Sequence, residues 1–161
     1  MAKRTKPGSS ISAKPSAAKI KRASRDLQLK LKRIGKIASG AVGIIGARNR
    51  RAAQLGIVLE IARRHKDEPA WAAAIRKAYK AQGIRKRQGA GSWMRLVKLC
   101  IPGPAATNFR NAKLIAYASR NGWSGDELER RLIRYKGLPG LGRKYGWKKL
   151  VPKSPGDGVG R

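Results

Sequence analysis

Apolar residues recur at helical intervals along most of this chain, and glycine- or proline-bearing breaks divide them into separate runs. The organising stretch runs from Asp67 to Pro102. In its first half Trp71, Ala74, Ile75, Ala78 and Tyr79 fall at i, i+3, i+4, i+7 and i+8, a single apolar stripe. Arg76, Lys77 and Lys80 take the other side. Asp67 and Glu68 put negative charge at the helix start, Pro69 suits the first helical position, and Gly83 is placed to end it. The second half opens at Ser92, a good N-cap, and Pro102 stops it. Trp93, Leu96, Val97 and Cys100 form its apolar side, which leaves Arg95 and Lys98 outside. The break from Ile84 to Gly91 carries Arg85, Lys86 and Arg87. Two amphipathic helices facing each other across a basic turn predict a helix-turn-helix, the simplest way to set a helix in the DNA major groove. Helical hairpins that never touch DNA show the same pattern.

The runs on either side are also helical. From Ser24 to Ala38, Leu27, Leu31, Ile34 and Ala38 share a face, with Lys30, Lys32, Arg33 and Lys36 over much of the rest. Such a basic amphipathic helix can close a core, lie on a membrane or follow a nucleic-acid backbone. Ser39 to Ala47, SGAVGIIGA, has too many glycines for a helix or strand and reads as a turn between helices. It is no phosphate loop, since no GK[ST] follows. From Arg48 to His65, Ala52, Leu55, Val58, Leu59 and Ala62 form a face that Ile57 and Ile61 widen. A helix apolar over that much circumference is expected to be central.

After Pro102 a second helix pair is expected. Thr107 or Asn108 caps the first, whose face is Ala112, Ile115, Ala116 and Ser119, flanked by Phe109 and Leu114. Asn121-Gly122 ends it. Ser124 and Glu127 then fit a capping box, with Trp123 and Leu128 as its hydrophobic staple. That helix runs through Leu132 and Tyr135 and stops at Gly137, with Arg130, Arg131 and Arg134 along it.

Charge changes the picture most. The chain has 161 residues and a formal charge of +31, from 39 Lys and Arg against 8 Asp and Glu. Such a chain repels itself unless an anion neutralises it, and nucleic acid is the commonest partner for that balance. The N-terminal arm carries Lys3, Arg4, Lys6, Lys14, Lys19, Lys21 and Arg22 among Ser, Ala, Pro and Gly. It has too little apolar surface to offset its ordering entropy and is expected to be disordered. An organelle transit peptide is the alternative, against which lysine dominance and the prolines argue. At the other end, Arg143, Lys144, Lys148 and Lys149 interleave with Tyr145 and Trp147 among glycines and prolines. Rings between cations can stack on unpaired bases, or pack back on the core.

Other chemistry is thin. Cys100 is the single cysteine, so no internal disulfide forms, and its apolar neighbours point to a core position. His65 is the single histidine, and two soft ligands do not make a zinc site. No catalytic motif, cofactor site or metal site is expected. No apolar run approaches membrane-spanning length, and the N-terminus lacks the apolar centre of a secretory signal.

The segment LGIVLEIARRHKDEPAWAAAIRKAYKAQGIRKRQGAGSWMRLVKL resembles the helix-turn-helix pattern of DNA-binding proteins from phages and plasmids. The matching positions are Leu55, Gly56, Leu59, Trp71, Tyr79, Met94, Arg95 and Leu96, about a quarter of the chain. Gly89 and Gly91 depart from it, where the pattern has ordinary helix formers. The resemblance implies DNA binding on a mobile element and no enzyme activity.

The expectation is therefore an all-α protein. A helical domain over residues 24–136 carries one or two helix-turn-helix-like hairpins. A disordered basic arm (residues 1–23) precedes it and a Gly/Pro-rich basic extension (residues 137–161) follows. The expected function is non-enzymatic DNA binding in the cytoplasm or nucleoid, with Arg85, Lys86, Arg87, Arg95 and Lys98 as the leading contacts. Arg95 or Gln88 would read base edges, and the arms would neutralise phosphates. Alternatives are a ribosomal or other RNA-scaffold protein and a nucleoid or virion protein that condenses DNA.

Overall fold

The computed structural model describes residues 13–85 and 92–146, and these fold into seven helices with no strand among them. They are α1 (Ala17–Ala38), α2 (Ala47–Asp67), α3 (Pro69–Ala81), α4 (Ser92–Cys100), α5 (Ala105–Arg120), α6 (Gly125–Arg134) and α7 (Leu138–Tyr145). The all-α expectation holds, and no helix among the described residues is long and apolar enough to cross a membrane.

α2 is the axis of the fold. Every residue from Ala52 to Leu59 is buried, as are Ile61 and Ala62, because no face of the helix is left for solvent over those turns. α1, α3, α4, α5 and α6 all pack against it. Its most extensive partner is α6, a pairing that the expected hairpins do not include. The reason is a glycine contact. A Cβ on Gly125 would stand 2.5 Å from the Gly56 carbonyl oxygen and 2.8 Å from Glu60 Cγ, so the start of α6 rests directly on the α2 backbone. Only glycine permits that approach.

The expected hairpins pack differently. α3 lies mainly on α1 and α2, α4 lies mainly on α5, and α3 and α4 touch each other only slightly. Trp71 (2% exposed), Ala74, Ile75 and Tyr79 are buried as the stripe requires, but α1 and α2 cover them.

Several boundaries move. α1 begins at Ala17, not Ser24, so the arm expected over residues 1–23 ends in helix. Ser16 caps it by accepting the Lys19 backbone N–H, Ala17 and Ala18 are strong helix formers, and Ala23 is buried. Residues 1–12 lie outside the described part. At its far end α1 buries Ile37 and exposes Ala38, the reverse of the expected face. α5 starts at Ala105 behind Pro104, ahead of the expected Thr107 or Asn108 cap; Asn108 is inside the helix, buried, and donates its amide to Gly103 O at 2.9 Å. The buried side of α5 is Asn111, Ala112, Leu114, Ile115 and Ala118, while Phe109 is exposed. In the C-terminal extension, Leu138–Tyr145 forms a short helix. Pro139 is tolerated in its first turn, and the buried Leu141 holds it down.

The α6 start is as the sequence reads. Ser124 Oγ accepts the Glu127 N–H at 3.1 Å, and Trp123 and Leu128 are both buried. The Glu127 carboxylate turns the other way and pairs with Arg131 at 2.5 Å, so the cap has one of its two reciprocal bonds.

Candidate nucleic-acid interface

Between the end of α3 and the side of α4 lies a cleft of about 430 Å³ lined by Arg76, Tyr79, Lys80, Gly83, Ile84, Arg85 and Arg95. Its shape follows from how α3 ends. Gly83 takes φ +65°, the Gly83 N–H bonds Lys80 O at 3.2 Å and the Ile84 N–H bonds Tyr79 O at 2.8 Å. This left-handed stop turns the chain sharply and brings Ile84 and Arg85 beside the last turn of α3. Arg76 and Lys80 stand one helical turn apart on the same side of α3, both exposed.

Arg95 reaches the cleft from α4. It is half-buried rather than outward as expected, because its guanidinium packs 4.9 Å from the centroid of the Tyr79 ring. Its Nε is buried without a hydrogen-bond partner among the described residues. A charged donor left unpaired in protein is costly, and an anion in the cleft would satisfy it. Among the described residues no Asp or Glu lines the cleft. The positive field is legible on its neighbours. His65, at the end of α2, is held below the usual imidazole range, first by burial and then by repulsion from Arg76 and Arg95. Burial pushes the Tyr79 phenol far up, with Arg95 opposing.

Acids gather elsewhere. Glu60 bonds Lys30 at 2.6 Å where α1 meets α2. Glu129 on α6 is held above the usual carboxylate range by burial and by Asp126, with Arg33 opposing. The α1–α2–α6 side is thus partly neutralised; the acids near α3, Asp67 and Glu68, stand at its start, where Glu68 is 4.0 Å from Arg64, at the opposite end of the helix from the cleft.

Of the residues expected to bind nucleic acid, Arg85 and Arg95 meet in this cleft, and Lys98 is exposed on α4. Lys86, Arg87 and Gln88 lie outside the described residues, between Arg85 and α4. Lys3, Arg4 and Lys6, and likewise Trp147, Lys148 and Lys149, also lie outside them. Lys14 precedes α1, and Lys19, Lys21 and Arg22 stand exposed on its first turns. Arg143 and Lys144 are exposed on the last turn of α7. Tyr145 turns back onto the core: its ring centroid is 5.5 Å from Trp123, 6.1 Å from Tyr135 and 6.2 Å from Tyr117. Arg131 ties the cluster by donating to the Tyr145 hydroxyl and lying 4.3 Å over the Trp123 ring.

Arg76 and Lys80 are not among the expected contacts, since helical spacing puts them only on an outer face. Their position one turn apart, just ahead of Arg85, is the signal in the sequence that points to them. Cys100 is buried, and burial pushes its thiol up to about 12, which disfavours the reactive thiolate form. Among the described residues no group of three or more His, Cys, Asp or Glu comes together to hold a metal. Comparison with protein families, curated proteins and solved structures finds no match to this chain.

Proposed function

We propose that this chain is a non-enzymatic DNA-binding protein, of the kind carried by a phage, plasmid or similar element, and that the α3–α4 cleft seats its phosphates. One observation carries the reading: Arg76, Lys80, Arg85 and Arg95 converge on a cleft that no acid lines among the described residues, and the buried Arg95 Nε finds no partner among them. Phosphate oxygens supply the charge and the acceptors that such a cleft lacks. The resemblance of residues 55–96 to helix-turn-helix proteins supports duplex DNA over RNA. α4 would then approach the groove with Lys98 outward, and the basic segment from Arg85 to Gln88 would follow the backbone.

A second reading has its own support. Exposed cations stand on every helix, from Lys19 on α1 to Lys144 on α7, as in a protein that condenses DNA without reading it. Binding of duplex DNA, single-stranded DNA and structured RNA at one fixed salt, by the wild type and by Arg85→Ala, separates the two. With Arg85 as a phosphate contact of a cleft that seats duplex, Arg85→Ala is predicted to weaken binding to every duplex about equally, preferred or random, and to weaken binding to single-stranded DNA and structured RNA less. Equal losses on all substrates would leave only charge.

A further inference from the structure

We propose that the loop between α1 and α2 is an apolar wedge that enters a base step of duplex DNA, with the arginines that follow it on the flanking phosphates. The proposal rests on the nucleic-acid reading above and adds to it a second contact and a consequence for DNA shape.

Ile45 is 87% exposed and Val42 is 41% exposed, both on this one loop. The loop is not slack around them. Ile44 packs against the core, so the chain is anchored next to the residue it displays. The Asn49 side-chain amide donates to Ile45 O at 3.2 Å, which fixes the carbonyl of the displayed residue. On the other side the Ala41 N–H and the Ser39 hydroxyl both bond Lys36 O at 3.0 Å. Gly40, Gly43 and Gly46 take φ +78°, +65° and +87°, turns that a side-chain-bearing residue rarely makes. The backbone is thus shaped to hold Ile45 outward.

The surroundings fix the chemistry of the partner. No acid stands between Asp26 and Glu60 in the sequence; Lys36 precedes the loop and Arg48, Arg50 and Arg51 follow it, with the Arg48 side chain lying beside Gly137 at the start of α7. At its base a cleft of about 710 Å³ is lined by Ile34, Ala38, Ala47, Arg50, Arg51 and Gln54 among others. Arg51 is half-buried there, and no ion pair among the described residues involves it. An exposed aliphatic side chain on a loop with cations before and after it in the sequence, and no acid among them, finds poor complement on an ordinary apolar protein surface. A base step offers apolar faces for the wedge and phosphates on both sides for the cations that flank the loop. Insertion of an aliphatic side chain unstacks the step and bends the duplex.

The test uses the full chain and a duplex carrying 2-aminopurine, whose fluorescence rises when it unstacks. Binding is followed in parallel by anisotropy, and folding by circular dichroism. Wild type and Ile45→Phe should raise the fluorescence at saturation. Ile45→Ala should bind with Kd changed by no more than about tenfold, since the phosphate contacts remain, yet leave the base stacked. Bound wild type that leaves the fluorescence flat, or Ile45→Ala that raises it fully, overturns the wedge and leaves the binding function standing. Absence of any duplex binding overturns both. Phosphatidylglycerol vesicles that retain wild type but release Ile45→Ala, with duplex signals alike, would make the loop a lipid contact and also overturn the proposal.

Discussion

At the residue scale, Trp71 and His65 report on opposite sides of the same region. Trp71 is buried where α3 meets α1 and α2, with the Arg64 guanidinium 5.2 Å from its ring. Trp71→Ala should cost about 3–5 kcal/mol in a denaturant titration, as large aromatic truncations do. That is a large share of the stability of a domain of ordinary size. An unchanged midpoint would contradict the packing of α3. His65 tests the cleft's field. Its folded-state value lies below the ordinary 6.5, so the unfolded chain takes up the proton first. Its influence on stability is therefore absent above 6.5 and appears as a loss when pH falls through 6.5 toward the folded value, then levels off. Phosphates in the cleft would offset the repulsion from Arg76 and Arg95 and raise the imidazole part of the way, since burial is the larger cause. His65 is the single histidine, so its ring signals in an NMR titration belong to it alone. The free protein should titrate low and the duplex complex higher; equal values in the two would place the phosphates elsewhere.

At the element scale, the α2–α6 crossing rests on two glycines with no room for a methyl group. Gly125→Ala would press its Cβ against the Gly56 carbonyl and against Glu60, whose carboxylate pairs with Lys30. The expected cost is about 1–3 kcal/mol, read as a lower denaturation midpoint at unchanged slope. An unshifted midpoint would mean that α6 moves away freely and that the crossing is not tight. The N-terminal arm divides at α1. Removing residues 1–12 takes away Lys3, Arg4 and Lys6 but spares Ser16 and the helix it caps. Helical circular dichroism should be unchanged. The slope of log K against log salt on duplex should flatten by about 0.9 for each phosphate that the arm no longer neutralises. Loss of helicity would show instead that the arm supports the fold.

Which elements are legible in the sequence follows from what each depends on. The stripes of α2 and α3, the stop at Gly83 and the Ser124 cap depend on residues within a few turns of one another, and their spacing displays them. The pairing of α2 with α6 depends on Gly56 meeting Gly125, two residues far apart in the chain, neither of which carries a signal by itself. The early start of α1 is hidden by a basic, alanine-rich composition that reads equally as arm or as exposed helix; Ala23 decides it by packing. Helical spacing puts Arg95 outside because it cannot show that Tyr79 offers a ring beneath it. For Tyr145 the sequence allows both stacking on bases and packing back, and the rings of Tyr117, Trp123 and Tyr135 account for its position.

At the scale of the whole molecule, under the proposed function, charge sets attraction to a polyanion and the cleft sets where the strongest contact falls. The measurement that bears most directly on this compares two variants of equal charge across a salt series on duplex DNA. Arg76→Ala with Arg85→Ala removes two exposed cations from the cleft; Arg110→Ala with Arg120→Ala removes two exposed cations from α5. Arg95 is left in place, since truncating it would uncover Tyr79 and disturb packing as well as charge. The cleft pair is predicted to weaken binding and to flatten the log K–log salt slope by up to about 1.8, two phosphates at about 0.9 each. The α5 pair is predicted to change it far less. Equal changes for the two pairs would contradict the cleft as the binding site.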